Sequence, residues 1–90
     1  MAAVTKPLTV LYFAWLRERV GVSEETLTPP PEVRTVAELA VWLAGLDERH
    51  AAAFKDRKTV RCAVNQEFAD PSTVLSPGDE VAFFPPVTGG

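Results

Sequence analysis

The fold is decided by Glu80-Val81-Ala82-Phe83-Phe84, an apolar run that continues without a polar spacer into Pro85-Pro86-Val87-Thr88-Gly89-Gly90. Short runs rich in β-branched and aromatic residues are typical of strands. A second such run, Leu8-Thr9-Val10-Leu11-Tyr12-Phe13-Ala14, lies near the other end of the sequence. These two runs are the most apolar of the chain. We therefore predict that they lie side by side at the centre of a sheet, and that both faces of the first are covered.

The best helix signal lies between these two runs. Thr35-Val36-Ala37-Glu38 is a capping box, in which the Thr35 hydroxyl can accept from the Glu38 amide and the Glu38 carboxylate can reach back. One apolar stripe follows at helical spacing and ends before Gly45: Val36, Leu39, Ala40 and Leu43. A short helical turn is predicted over 15–20, and a second short helix over 47–54 with Asp47 as its cap.

The remaining strands are shorter. They are predicted over 24–28, over 60–64 and around Phe68, with a tight turn at Asn65-Gln66 and a type II turn at Ser76-Pro77-Gly78-Asp79. A strand pair, a helical region and further strands make an α+β arrangement. We predict a mixed sheet of about five strands packed against one main helix, which is the compact roll called a β-grasp.

Composition limits the chain to one small globular domain. Its 90 residues are 47% hydrophobic and 23% charged, with a net charge of -3 and no basic cluster that would favour nucleic acid. The single cysteine, Cys62, excludes an internal disulfide and fits a reducing cytoplasm. No apolar run approaches the ~20 residues that span a bilayer, and no signal peptide is recognisable. We predict a flexible lead-in over 1–7, one domain over 8–84 and a functional tail over 85–90.

Strand alternation predicts an exposed apolar patch. If Val10 and Tyr12 face the helix, then Leu11 and Phe13 face away from it, and by the same parity so do Ala82 and Phe84. A single helical segment covers only one face of a sheet, so these side chains, with Phe68, would form the kind of surface that usually marks a partner site. The alternative is that loops or the second helix cover them.

The side chains offer no catalytic set of their own. Cys62 is interpreted as an inert core thiol, and His50 as a solvated histidine on a helix face. The sequence has no glycine-rich phosphate loop, no metal-ligand spacing and no Ser/His/Asp set. Chemistry is therefore expected at the carboxylate of Gly90, which at a pKa of ~3.5 is ionised and unreactive until ATP converts it to an acyl-adenylate. Gly89 and Gly90 lack a Cβ and can thread a narrow enzyme site.

Three segments resemble one known family. Residues 79–90 closely resemble the C-terminus of molybdopterin synthase small subunits, which are ubiquitin-like diglycine sulfur carriers. Ala63-Val64-Asn65-Gln66 resembles that family's turn segment, and Val10-Leu11-Tyr12-Phe13-Ala14, with Arg17-Glu18 and Val20-Gly21, resembles its first strand and turn. Departures are an extended N-terminus up to Pro7 and the proline run Pro29-Pro30-Pro31. Neither departure touches the tail.

The resemblance implies a sulfur carrier that binds no cofactor. In the family, an E1-like enzyme adenylates the terminal glycine with MgATP, and a sulfur donor, a sulfurtransferase or cysteine desulfurase, converts it to a thiocarboxylate. The large synthase subunit then accepts the tail, and sulfur passes to cyclic pyranopterin monophosphate to build the dithiolene; the assembly is a heterotetramer. The resemblance implies that Gly90 bears the sulfur. The segment that threads the channel is Pro86, Val87, Thr88 and Gly89, and the docking residues are Leu11, Phe13, Phe68 and Phe84.

Three other interpretations remain open. The first is a diglycine sulfur carrier of another pathway, serving thiamine thiazole, cysteine or tungsten-cofactor synthesis. The second is a protein modifier that joins Gly90 to a target lysine, and the third is a plain interaction module with an idle tail. Deleting Gly89-Gly90 separates the module from the others, and higher-mass conjugates separate the modifier from the carrier.

Overall fold

The computed structural model describes residues 7–86, which form five strands and three α-helices. The strands are β1 (Leu8–Tyr12), β2 (Glu24–Leu27), β3 (Arg61–Val64), β4 (Glu67–Ala69) and β5 (Glu80–Phe84). The helices are α1 (Trp15–Val20), α2 (Val36–Ala44) and α3 (Glu48–Ala53), and a 3-10 turn spans Arg57–Thr59. The predicted lead-in and tail lie largely outside the described residues, so those domain bounds remain predictions.

The strands form one mixed sheet in the order β2-β1-β5-β3-β4. β1 runs parallel to β5, whereas the β1–β2, β3–β5 and β3–β4 pairs are antiparallel. The predicted pairing of the first and last strands at the centre is therefore confirmed, and so is the α+β arrangement of five strands with a main helix. A parallel pair needs a long crossover, which here carries all three helices.

The helices cover one face of the sheet and bury its inward side chains. Val10 and Tyr12 of β1 and Val81 and Phe83 of β5 are almost completely buried, with Phe54 against them; the Phe54 and Phe83 ring centroids lie 4.9 Å apart at 88°. α2 adds Leu39 and Leu43, and α1 adds Leu16, all fully buried. Burying an aliphatic or aromatic side chain of this size contributes roughly 1.5–3 kcal/mol.

The main helix begins as its sequence predicts. The Thr35 hydroxyl accepts from the Glu38 amide at 3.2 Å, while Glu38 Oε1 accepts from the amides of Thr35 at 3.1 Å and Arg34 at 2.7 Å. The amide of Gly45 closes the other end by donating to the Val41 and Trp42 carbonyls. The predicted capping box is confirmed, and it fixes α2 across the sheet.

Two predictions about β1 are wrong. The strand ends at Tyr12 instead of Ala14, because Ala14 adopts a φ of 55° and the chain turns, with the Leu16 amide donating to the Phe13 carbonyl at 3.2 Å. Only one face of β1 is covered, since Leu8, Val10 and Tyr12 are buried while the alternating Leu11 is only half-buried. A positive φ disfavours side chains in general, and nothing in the local sequence indicates it at an alanine.

Within residues 7–86, no helix is long and apolar enough to cross a membrane.

Candidate functional site

One face of the sheet carries an apolar row that none of the helices described within residues 7–86 covers. The register places Leu11 opposite Ala82, Ala82 opposite Ala63, and Ala63 opposite Phe68, so that these four side chains cross β1, β5, β3 and β4 in line. Directly opposite residues in a sheet point to the same side.

A second row lies beside it, toward the end of β5. Phe84 alternates with Ala82 on β5 and so shares its face, and the Phe68 and Phe84 rings lie 6.0 Å apart between centroids. Phe13 follows β1 and is 49% exposed, while Phe68 is 84% exposed. We call this surface the apolar face and define it as Leu11, Phe13, Ala63, Phe68, Ala82 and Phe84.

The structure thus places all four predicted docking residues on one side of the sheet. Leu11 and Phe84 are half-buried by their neighbours, whereas Phe13 and Phe68 stand out into solvent. Sequence reasoning missed Ala63, which occupies the middle of the face between Ala82 and Phe68. Strand alternation could have predicted the outward position of Ala63, because it lies between the inward Cys62 and Val64.

The tail starts at the edge of this face. β5 ends at Phe84, and Pro85 and Pro86 follow it directly. Proline has no amide N–H, so neither residue can extend the ladder. The other predicted site residues, Val87, Thr88, Gly89 and Gly90, lie outside the described residues. From Pro86 onward such a segment reaches at most about 15–18 Å.

Side-chain hydrogen bonds from Asn65 fix the start of β5. Asn65, at φ 51° in the β3–β4 turn, accepts the Glu80 amide on Oδ1 at 3.0 Å and donates from Nδ2 to Asp79 Oδ1 at 2.9 Å. The Asp79 carboxylate also accepts the Ser76 amide at 2.8 Å. The register of β5 is therefore pinned at its first residue, at the end opposite to the tail.

On the helix side, a buried polar network contradicts the interpretation of His50 as solvated. His50 is 6% exposed, and its Nε2 lies 2.7 Å from Glu25 Oε2 while its Nδ1 lies 2.7 Å from Asp47 Oδ1. Tyr12 donates to the same Glu25 oxygen at 2.8 Å. Two carboxylates facing both ring nitrogens favour the imidazolium form, because only that form donates twice.

The pKa values follow from this geometry. Burial alone would lower the pKa of His50, but the hydrogen bonds and charges of Glu25 and Asp47 outweigh it and raise that pKa above its ordinary value. Burial, and then the Glu25 carboxylate, raise the pKa of Tyr12 far above its ordinary range. Burial also raises the pKa of the Cys62 thiol, which points at the Ala69 carbonyl, as an inert core thiol requires.

We expect His50→Gln to destabilise the protein in a pH-dependent way. The pKa of His50 is raised in the folded protein, so its imidazolium stabilises the fold. This stabilisation is complete below the pKa of the unfolded chain, about 6.5, and is lost as pH rises through the pKa of the folded protein. The penalty in the free energy of unfolding should be roughly 1–3 kcal/mol near pH 6 and smaller near pH 9, by urea denaturation. Glu48→Gln, an exposed change on the same helix, should show no such difference. A penalty that is equal at both pH values would contradict the pairing of a charged His50 with Glu25 and Asp47.

Comparison with known proteins agrees with the fold. A model of the ThiS family matches residues 10–90. A molybdopterin synthase sulfur carrier subunit from Escherichia coli (strain K12) is 42% identical over 83 residues, covering 92% of this chain and 99% of that protein.

Solved structures give the same picture. A molybdopterin converting factor subunit 1 from Pyrococcus furiosus aligns with a TM-score of 0.73 and 32% identity, covering 92% of this chain and 100% of that one. SAMP1 from Haloferax volcanii aligns with a TM-score of 0.71 and 27% identity, over 93% and 99% of the two chains. These similarities confirm the predicted β-grasp.

Proposed function

This chain belongs to the ThiS family, in which its relatives are molybdopterin synthase sulfur carrier subunits, and on that premise we propose that it carries sulfur on Gly90 as a thiocarboxylate. The observation that carries the proposal is the continuity between the apolar face and the tail. Phe84 belongs to the face and is also the last residue of β5 before Pro85. A partner that binds the face is thereby placed beside the root of the tail.

The chemistry would take place on the backbone of Gly90. On an E1-like partner, a carboxylate oxygen attacks the α-phosphate of ATP, pyrophosphate leaves, and an acyl-adenylate forms. The terminal sulfur of a persulfide on a sulfurtransferase or cysteine desulfurase attacks the carbonyl carbon, and AMP leaves with the carboxylate oxygen. A thiol then attacks the donor enzyme's sulfur in the resulting acyl disulfide, forms a disulfide with that enzyme, and releases the thiocarboxylate. The chain supplies the acyl group and its presentation, while its partners supply nucleotide and sulfur. MgATP is therefore the partner's substrate.

The acceptor would be cyclic pyranopterin monophosphate in the large synthase subunit. Two copies of the chain would assemble with a dimer of large subunits as a heterotetramer. The thiocarboxylate sulfur attacks a side-chain carbon of the pterin, from which an oxygen substituent leaves, so that a thioester joins the two molecules. Water then attacks the thioester carbonyl, the bond from that carbon to sulfur breaks, and a carboxylate is left on Gly90 for the next cycle. Two features of the tail suit this transfer. Pro85 and Pro86 restrict φ at its base, and Gly89 and Gly90 carry no side chain into the channel. Among residues 7–86 no group of three or more His, Cys, Asp or Glu side chains is arranged so that it could hold a metal ion.

Mass spectrometry of the C-terminal fragment tests this proposal. The chain is incubated with MgATP, an E1-like enzyme and a sulfur donor, and then cut after Glu80 by a glutamate-specific protease. The fragment of residues 81–90 contains neither Met1 nor Cys62, whose oxidation adds nearly the same mass as exchange of oxygen for sulfur. We expect that exchange on Gly90. An unchanged carboxylate, with an activating enzyme that modifies a known carrier in parallel, would contradict it.

A protein modifier is the second candidate, and the likeness to SAMP1 of Haloferax volcanii, a small archaeal modifier protein, favours keeping it. Activation of Gly90 would be the same, but a lysine amine would attack the acyl group and form an isopeptide. Immunoblots of cells that express a tagged chain separate the two. Higher-mass conjugates that disappear when Gly90 is deleted would support the modifier.

A further inference from the structure

One charged side chain stands at the edge of the apolar face. Arg61 is the only Lys or Arg in the five strands, whose other charged residues are Glu24, Glu25, Glu67 and Glu80. It pairs with Phe84 in the β3–β5 register, and it is exposed. Directly opposite residues in an antiparallel pair have Cβ atoms about 4.5–5.5 Å apart and point to the same side. The Arg61 side chain therefore leaves the sheet on the same side as Phe84, next to the last residue of β5.

The side chain is also held in place. Arg61 Nη1 donates to the Lys58 carbonyl at 3.1 Å, so that part of its rotamer freedom is already lost in the free protein. A guanidinium carries five N–H donors in a planar fork. One hydrogen bond to Lys58 leaves enough of that fork for a two-pronged contact with a carboxylate.

Burial of Phe84 by a partner would also affect Arg61. A partner that covers the Phe84 ring brings its surface up to the side chain directly opposite, and an unpaired charge that loses its water is strongly unfavourable. A carboxylate on the partner would remove that cost. The tail entering the partner at this same point would keep the two surfaces close.

Resting on the proposed function, we infer that Arg61 is a specificity-determining residue that pairs with a carboxylate of the large subunit. This carboxylate lies next to the apolar surface that binds Phe84, at the mouth of the channel that takes the tail. The outward charges of the sheet fit this assignment. Glu80, at the other end of β5, and Glu24, opposite Leu11 on β2, share the outward side by register. The face is thus positive beside the root of the tail, negative at the start of β5 and negative on the edge strand β2, and this uneven pattern favours one orientation of a partner with complementary charges.

A substitution series at Arg61 tests the pairing by calorimetry with the cognate large subunit. Arg61→Leu removes the charge and adds an apolar side chain. It should weaken binding if the partner presents a carboxylate to Arg61, and it should strengthen binding if the contact there is entirely apolar. With a partner carboxylate present, we expect Arg61→Leu to weaken the complex about 10- to 100-fold and Arg61→Glu to weaken it further. Arg61→Lys should recover only part of the loss, because an ammonium lacks the fork.

Arg49→Leu is the matched control, because it makes the same charge change at an exposed position on α3, on the covered side of the sheet. It should bind like the original chain, and all variants should keep the original unfolding midpoint. Raising the salt concentration should weaken the original complex more than the Arg61→Leu complex. Equal or tighter binding by Arg61→Leu would overturn the inference while leaving the carrier function standing. Failure of the unsubstituted chain to bind would overturn both the inference and the assignment of the large synthase subunit as partner.

Discussion

Deletion of Gly90 alone should reduce sulfur transfer by roughly 100-fold or more while leaving the complex with the large subunit intact. The deletion moves the reactive carbonyl back by one residue, about 3.3–3.6 Å of extended chain. A misplacement of about 1 Å can already cost a hundredfold in rate. If the body docks through the apolar face as proposed, stretching of the tail would not compensate, because the body would be fixed and Pro85 and Pro86 restrict φ at the base of the tail.

The measurement is single-turnover conversion of the pterin substrate, with the thiocarboxylate installed chemically on Gly90 of the full chain or on Gly89 of the shortened one. Installing the sulfur directly bypasses the activating enzyme, so that only presentation of the sulfur is compared. Binding of both chains to the large subunit serves as the internal control. A shortened chain that transfers sulfur within about tenfold of the full rate would mean that the length of the tail does not set the position of the reacting atom.

Replacement of Phe68 by Lys should weaken the complex with the large subunit by roughly 30-fold or more, with little change in the stability of the free chain. Phe68 is 84% exposed, so the free chain loses little buried area, whereas a bound partner would bury the ring against Phe84. Large aromatic side chains of this kind carry most of the energy of an interface. Phe84→Lys and Phe13→Lys should act in the same direction, although Phe84 is half-buried and its replacement also costs stability.

The matched control is Val41→Lys. Val41 is 55% exposed and lies on α2, on the opposite side of the sheet, so it tests whether any exposed apolar residue would give the same effect. Thermal unfolding of each variant separates loss of binding from loss of fold. Equal weakening by Val41→Lys and Phe68→Lys, or no weakening by either, would remove the apolar face as the docking surface.

Much of this arrangement could be predicted because it depends on patterns among residues that are close in sequence. The alternation along Glu80–Phe84 indicated both the central strand and the outward position of Phe84, and the capping box placed α2. The prediction for His50 was wrong because its partner Glu25 lies 25 positions away and meets it only through tertiary packing. Periodicity describes one element at a time, and it does not show which distant side chain an element will meet.

The position of Arg61 could not be predicted for the same reason. Its place beside Phe84 follows from the β3–β5 register, and the sequence alone did not show that register. The turn at Ala14 was also hidden, because a positive φ at an alanine leaves no mark in composition. The tail chemistry, by contrast, depends on residues that are adjacent in sequence, so a local sequence pattern is enough to suggest it.

The pairing of β1 with β5 has a consequence for how the protein is made. Thr9 and Glu80 are partners across the centre of the sheet, so the middle of the domain joins segments from nearly opposite ends of the described chain. Contacts of such long sequence separation form slowly, and a ribosome releases β5 after every other strand. A nascent chain without β5 lacks both Phe84 and the neighbour that orders Leu11 and Ala63. Partners that recognise the assembled face would therefore ignore unfinished chains and engage only molecules whose synthesis has already reached the tail.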